Sequence, residues 1–137
     1  MADDVVLNKA AIIERCIGRV RAEYAGDDAH LFDDLRRQDS IILNLQRACE
    51  ASIDLSMHLV SIHRLGVPQD TRAAFDLLRD AGVLPPEVAY RMARMVGFRN
   101  IAVHDYQKLN LIIVKRIVTE HLDDFRRFTQ TVLGAPQ

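Results

Sequence analysis

Residues 39 to 62, "DSIILNLQRACEASIDLSMHLVSI", decide the architecture. Ile41, Leu45, Ala48, Ser52, Leu55, Leu59 and Ile62 recur at steps of three and four, the spacing that lines one face of an α-helix. A second row, Ile42, Cys49, Ile53 and Val60, runs beside the first and is also apolar. A helix with so wide an apolar face contacts two neighbouring surfaces, which places it centrally in a helical domain. Asp39 or Ser40 is the expected cap at its start.

The same periodicity extends outward in both directions. Upstream, Val6, Ala10, Ile13, Ile17, Val20 and Tyr24 form one stripe that Gly26 stops. Downstream, Gly66 and Pro68 break the pattern in "RLGVPQD". A short helix from about Thr71 to Ala81 follows, ended by Gly82. "LPPE" opens the next helix, with Pro85 and Pro86 near a first turn where a missing amide costs little. The final segment, about Leu109 to Leu133, carries Leu111, Val114, Val118, His121, Phe125, Phe128 and Val132 on a near-heptad seam. No alternating run or hairpin signal interrupts the helical pattern. The chain therefore reads as one all-α domain over residues 1–137, an up-and-down bundle of four substantial helices and one short one.

Composition bounds the function. At 137 residues the chain is long enough to bury a core without disulfides or metal, and its 49% hydrophobic and 27% charged residues are an ordinary soluble balance. No stretch approaches the roughly 20 apolar residues of a membrane span, and "MADDVVLNK" lacks the features of a secretory signal. Cys16 and Cys49 read as buried free thiols of a reducing cytoplasm, with no zinc spacing around them. A net charge of −1 argues against an avid nonspecific nucleic-acid binder but leaves room for a local basic patch. Arg91, Arg94 and Arg99 form such a patch, with no acid between them, and are candidates for a path along an RNA backbone. Asp27, Asp28, Asp33 and Asp34 form an opposing acidic run, expected to be a solvated connection that also holds a solvated His30.

The chemistry concentrates in "GFRNIAVHDY", residues 97–106. Asn100 and His104 are four apart and so neighbours on one helical face. Arg99 lies five before His104, about 140° away in projection. Either the long arginine wraps part of that angle, or two copies of the chain each contribute an arginine and a histidine to one cleft. Histidine moves protons near neutral pH, and the guanidinium fork suits a phosphate gaining charge in a transition state. On residues alone, a phosphate site and a hydrogen-bonded helix contact both remain open readings. No carboxylate cluster resembling a two-metal centre is near; only Asp105 is close. His58 and His63, five apart with no third ligand at helical spacing, do not read as a metal site, and His121 reads as a satisfied core or interface histidine.

"RNIAVHDY" resembles the Arg-x4-His-x-Tyr signature of the HepT-like toxins in the HEPN superfamily of helical ribonucleases. "RQDSIILNLQRACEASIDLSMHL" resembles that family's second helix, and "MVGFRNIAVHDYQKLN" its motif region, so the likeness spans essentially the whole chain. The resemblance implies a cytoplasmic homodimer that cleaves RNA without a metal or other cofactor. Arg99 and His104 of both protomers would be catalytic, with Asn100 supporting and Tyr106 as the last motif position. It further implies a partner, a minimal nucleotidyltransferase (MNT) antitoxin that transfers AMP from ATP onto Tyr106. A phosphodiester there adds charge and bulk where substrate phosphate must sit. The competing expectation is a non-catalytic helical module that binds a nucleotide or the nucleotidyltransferase.

Overall fold

The computed structural model describes the backbone of residues 3–104 and 110–134, and the side chains of 3–102 and 110–134. Helix α1 spans Asp4–Tyr24, α2 Asp28–Phe32, α3 Leu35–Ile62, α4 Thr71–Asp80 and α5 Pro86–His104. A last helical rod comprises α6, Leu111–Arg116, a π-helical turn, Ile117–His121, and α7, Leu122–Gly134. The chain is all-α, as its periodicity predicts, with no strand among the described residues.

Aspartates start most of these helices. Asp3, Asp27, Asp34 and Asp70 each accept a hydrogen bond from a backbone N–H in the first turn that follows. Each satisfies a donor that the helix itself cannot. At the end of α1, Ala25 and Gly26 both take left-handed backbone, with φ of 49° and 70°. Glycine meets that demand without steric cost, and the chain reverses there.

Helix α3 is the centre. Ile41, Ile42, Leu45, Ala48, Cys49, Leu55, Leu59 and Val60 are all buried, so both apolar rows are used. It packs on α1, α4 and α5, while α7 packs on α1 and α5 and closes a four-helix ring. The directions follow from named pairs. Lys9 at the start of α1 meets Asp54 late in α3, at 3.1 Å, and Arg37 at the start of α3 donates to the Glu23 carbonyl late in α1, at 2.9 Å. Thr129 bonds Glu14 at 2.7 Å and Asp123 pairs with Arg21 at 3.1 Å, so α7 runs against α1. Arg127 and Asp124 pair with Glu87 and Arg91 respectively, so α7 also runs against α5. The ring α1–α3–α5–α7 is therefore up-and-down. Helix α4 lies against α3 and α5, and its Phe75 meets Phe128 of α7 edge-to-face, with ring centres 6.0 Å apart.

Three sequence expectations need correction. Helix α3 begins at Leu35 under an Asp34 cap, not at Asp39 or Ser40. Its first turn precedes the apolar stripe and leaves Leu35 73% exposed, so periodicity gives no sign of it. The acidic run is not a bare connection, because it contains α2 and two helix caps. Asp28 accepts a hydrogen bond from the Tyr24 hydroxyl and one from Lys115 of α6 at 2.7 Å. His30 is not simply solvated; its Nδ1 lies 2.7 Å from the Tyr24 carbonyl oxygen. Finally, the π turn inserts an extra residue into the last seam. Leu122 takes the core position and His121 moves to the rim.

The exposed ion pairs leave an acid signature. The hydrogen bond from the Val6 amide, with His58 behind it, holds the Asp3 carboxyl below its ordinary value of 3.8. Lys115 and Tyr24 do the same for Asp28, and Arg127 and Arg91 lower Glu87 from 4.5. A carboxyl lowered in the folded state stabilises the fold above its unfolded pKa, and that contribution is lost as the pH falls through the folded value. Urea unfolding should thus show full stability above pH 5 and a progressive loss below about 4.5. Asp28→Asn should reduce the difference in stability between pH 7 and pH 3.5.

Candidate active site

Helix α5 carries the motif, and its two sides face different neighbours. Val88, Ala89, Met92, Met95, Val96 and Phe98 are buried and fix its rotation in the bundle. That rotation turns Arg99 toward α3 and Asn100 toward the start of α4. Arg99 is half-buried. Its Nε lies 3.6 Å from the Glu50 carboxylate, which also accepts a 3.2 Å hydrogen bond from Gln46. The Arg99 Nη1 donates to the Asn100 side-chain oxygen at 3.4 Å. Yet the Arg99 Nε is sealed from solvent without a hydrogen-bond acceptor of its own. The guanidinium is positioned by charge at moderate distance rather than by a close bidentate pair among the described residues.

Asn100 lines a cleft of about 450 Å³ between α5 and the first residues of α4. Gly97 and Ala93 form part of one wall and Thr71 part of the other. A Cβ added at Gly97 would meet nothing within 4 Å, so the cleft is open above it. Two guanidiniums line the space, Arg94 and Arg72. Arg94 is exposed and lies over the Tyr90 ring, 5.7 Å from its centre. Among the described residues, the only carboxylate on this cleft is that of Asp70, whose Oδ1 accepts the Ala73 amide at 2.8 Å.

The backbone of α5 remains helical through position 104, so Asn100 and His104 are one turn apart on the same helix. The His104 side chain, Asp105 and Tyr106 lie outside the described residues. Of the other motif-adjacent cations, the structure brings Arg94 to the cleft but turns Arg91 to the contact with α7. Arg91 pairs with Glu87 at 3.3 Å and with Asp124, only 7% exposed, at 3.4 Å. Asp124 also takes His121, whose Nδ1 lies 3.2 Å from it. Arg91 is thus a packing cation beside the motif.

Two residues here escape the sequence reading. Arg72 is distant in sequence from the motif and reaches it only because α4 folds back on α5. Glu50 follows the buried Cys49 on α3 and shows no spacing relation to Arg99. Burial pushes the Cys49 thiol pKa far up, which keeps it protonated and inert behind the site. Among the described residues no three His, Cys, Asp or Glu side chains group as metal ligands. No helix among them is long and apolar enough to cross a membrane.

The site thus sits on an all-α bundle with Arg99 and Asn100 near the end of the motif helix and Asn100 on a basic cleft. The family model for HepT-like ribonucleases matches residues 13–132, and the chain belongs to that family. It is 45% identical to the mRNA nuclease HepT of Shewanella oneidensis over 130 residues, 95% of this chain and 97% of that protein. Solved structures agree. A toxin–antitoxin crystal structure with AMP-PNP is 44% identical, with a TM-score of 0.91, over 97% of this chain and 100% of the matched one. A tri-AMPylated Shewanella oneidensis HEPN toxin in complex with MNT antitoxin is likewise 44% identical, with a TM-score of 0.91, over 98% of this chain and 100% of the matched one.

The two arginines one turn apart in sequence should behave oppositely. Arg91→Ala leaves the buried Asp124 with His121 as its remaining partner among the described residues and should cost about 1–3 kcal/mol of stability. Arg94→Ala removes an exposed stacking contact and should stay within about 0.5 kcal/mol of the parent. Urea titration of the two variants checks this.

Proposed function

We propose that this chain is the ribonuclease toxin of a toxin–antitoxin pair and acts as a homodimer in the cytoplasm. It would cut RNA without a metal ion and be restrained by a nucleotidyltransferase antitoxin. The observation that carries this reading is the end-to-end identity of 45% to a nuclease of mRNA. The position of Arg99 supports it, since that half-buried guanidinium in the motif is held in place by the Glu50 carboxylate.

In this mechanism His104 of one protomer takes the proton of a ribose 2′-hydroxyl. The oxygen so freed attacks the neighbouring phosphorus. His104 of the other protomer gives a proton to the departing 5′-oxygen as the P–O bond breaks. Arg99 stabilises the charge that builds on the non-bridging oxygens. Asn100 orients the reacting groups, and Arg94 and Arg72 hold an adjacent phosphate in the α4–α5 cleft. Regulation acts on the same motif. The Tyr106 phenol attacks the α-phosphate of ATP on the antitoxin, pyrophosphate leaves, and the AMP now on Tyr106 puts a negative charge where RNA must lie.

Cleavage of a single-stranded RNA by EDTA-treated protein tests the activity. His104→Ala and Arg99→Ala should each lose on the order of 100-fold or more in rate. Equal residual cleavage by all three proteins would reject the nuclease and leave a binding module instead. For the regulation, incubation with the cognate nucleotidyltransferase and ATP should add adenylyl mass to the Tyr106 peptide and silence cleavage. A peptide of unchanged mass would refute the modification.

A further inference from the structure

A second basic groove, of about 540 Å³, lies on another face of the bundle between α1 and α3. It follows α3 from Asp39 to Asp54, a run of roughly 22 Å at the helical rise. Arg15 and Arg19, one turn apart on α1, line one side, and Arg47 of α3 lines the other. All three are exposed, and none has a carboxylate within ion-pair distance among the described residues. Their charges converge. Burial raises the pKa of the Cys16 thiol at the groove floor, and Arg15, Arg47 and Arg19 all act on that thiol in the opposite direction.

The groove's acids do not cancel these charges. Asp54 is taken by Lys9 at 3.1 Å and Glu50 by Arg99 at 3.6 Å, and the third acid, Asp39, makes no ion pair with Arg15, Arg19 or Arg47 among the described residues. Glu50 makes the connection to the motif. It lines this groove and also holds the Arg99 guanidinium, and Arg47 lies one turn before it on α3. A chain of cations thus leads from Arg99, past Glu50 and Arg47, to Arg15 and Arg19. Three exposed guanidiniums, without an ion pair among the described residues, on an open groove whose Glu50 also contacts Arg99 match a polyanionic strand better than a peptide. A strand leaving the motif would find its next phosphates answered here.

We propose that Arg15, Arg19 and Arg47 form an RNA-backbone track that carries the single strand away from Arg99 along the α1–α3 groove. The proposal rests on the nuclease reading above and extends its binding surface. It predicts that affinity for RNA depends on residues far from the motif in sequence, through phosphate charge and not through base identity.

Binding and cleavage together test it. Fluorescence anisotropy with a 20-nucleotide RNA, in the His104→Ala background, measures affinity without turnover. Arg15→Gln/Arg19→Gln/Arg47→Gln should weaken binding on the order of 10-fold and reduce the slope of log affinity against log salt by about 2. The control Arg64→Gln/Arg79→Gln/Arg126→Gln, an equal charge loss on neither groove, should leave both unchanged. Thermal melts confirm that each variant folds. With His104 restored, the groove variant should show the loss in KM rather than in kcat. Equal affinity in the groove and control variants overturns the track. So does a groove variant that binds RNA normally but loses the nucleotidyltransferase, since the surface would then serve the protein partner. Absence of cleavage by the parent protein refutes the nuclease reading, whereas the track stands or falls on the affinity comparison.

Discussion

The burial of α3 on two sides is the constraint on which the rest depends. A helix with two adjacent apolar rows cannot satisfy both against a single neighbour. It takes α1 on one side and α4 with α5 on the other, and α7 then fills the gap between α1 and α5. Core residues along α3 such as Ile41, Leu45, Leu55 and Leu59 are fully excluded from solvent. Because interiors pack at crystal-like density, this leaves little freedom in how the surrounding helices rotate. The rotation of α5 in turn decides which of its polar residues face α3, which face α4 and which face α7.

That rotation sorts the arginines. Three of them, Arg91, Arg94 and Arg99, lie within nine positions on one helix, yet they enter three different environments. Arg91 is bound to Glu87 and a buried aspartate, Arg94 stacks on Tyr90 beside an open cleft, and Arg99 is steered by Glu50. Pairing with a buried carboxylate ties Arg91 to the fold, since Asp124, only 7% exposed, is a poorly solvated charge that needs such partners. Neither of the other two pairs with a buried carboxylate among the described residues. On the opposite flank of α3, Arg15, Arg19 and Arg47 have no ion pair among the described residues, and two of the three acids on their groove are engaged by Lys9 and by Arg99. A chain with a net charge of −1 can therefore display two local basic surfaces. Its acids are spent on caps and ion pairs, as at Asp3, Asp27, Asp28, Asp34 and Asp70.

The last helical rod shows how a local irregularity redirects a seam. A strict near-heptad reading places His121 in the core line with Val118 and Phe125. The π turn from Ile117 to His121 advances the register by one residue, so that Leu122 is buried and His121 faces Asp124. Periodicity assumes a constant rotation per residue, and a single wide turn breaks that assumption without leaving a mark in the apolar pattern.

What the sequence determined by itself was the helical class, the central helix and its two faces, the stop at Gly26 and the start at Pro86, and the motif that ties Arg99, Asn100, His104 and Tyr106 together. These are legible because helical periodicity, caps and motif spacing act over a few residues along one chain. Only the tertiary structure decided that Arg91 serves packing, that Glu50 holds Arg99, that Arg72 joins Arg94 in one cleft, and that Arg15, Arg19 and Arg47 share another. Those relations join helices separated by tens of residues, and they depend on how far each helix is rotated about its axis. Mutual packing of whole apolar faces sets that rotation, and no local spacing encodes it.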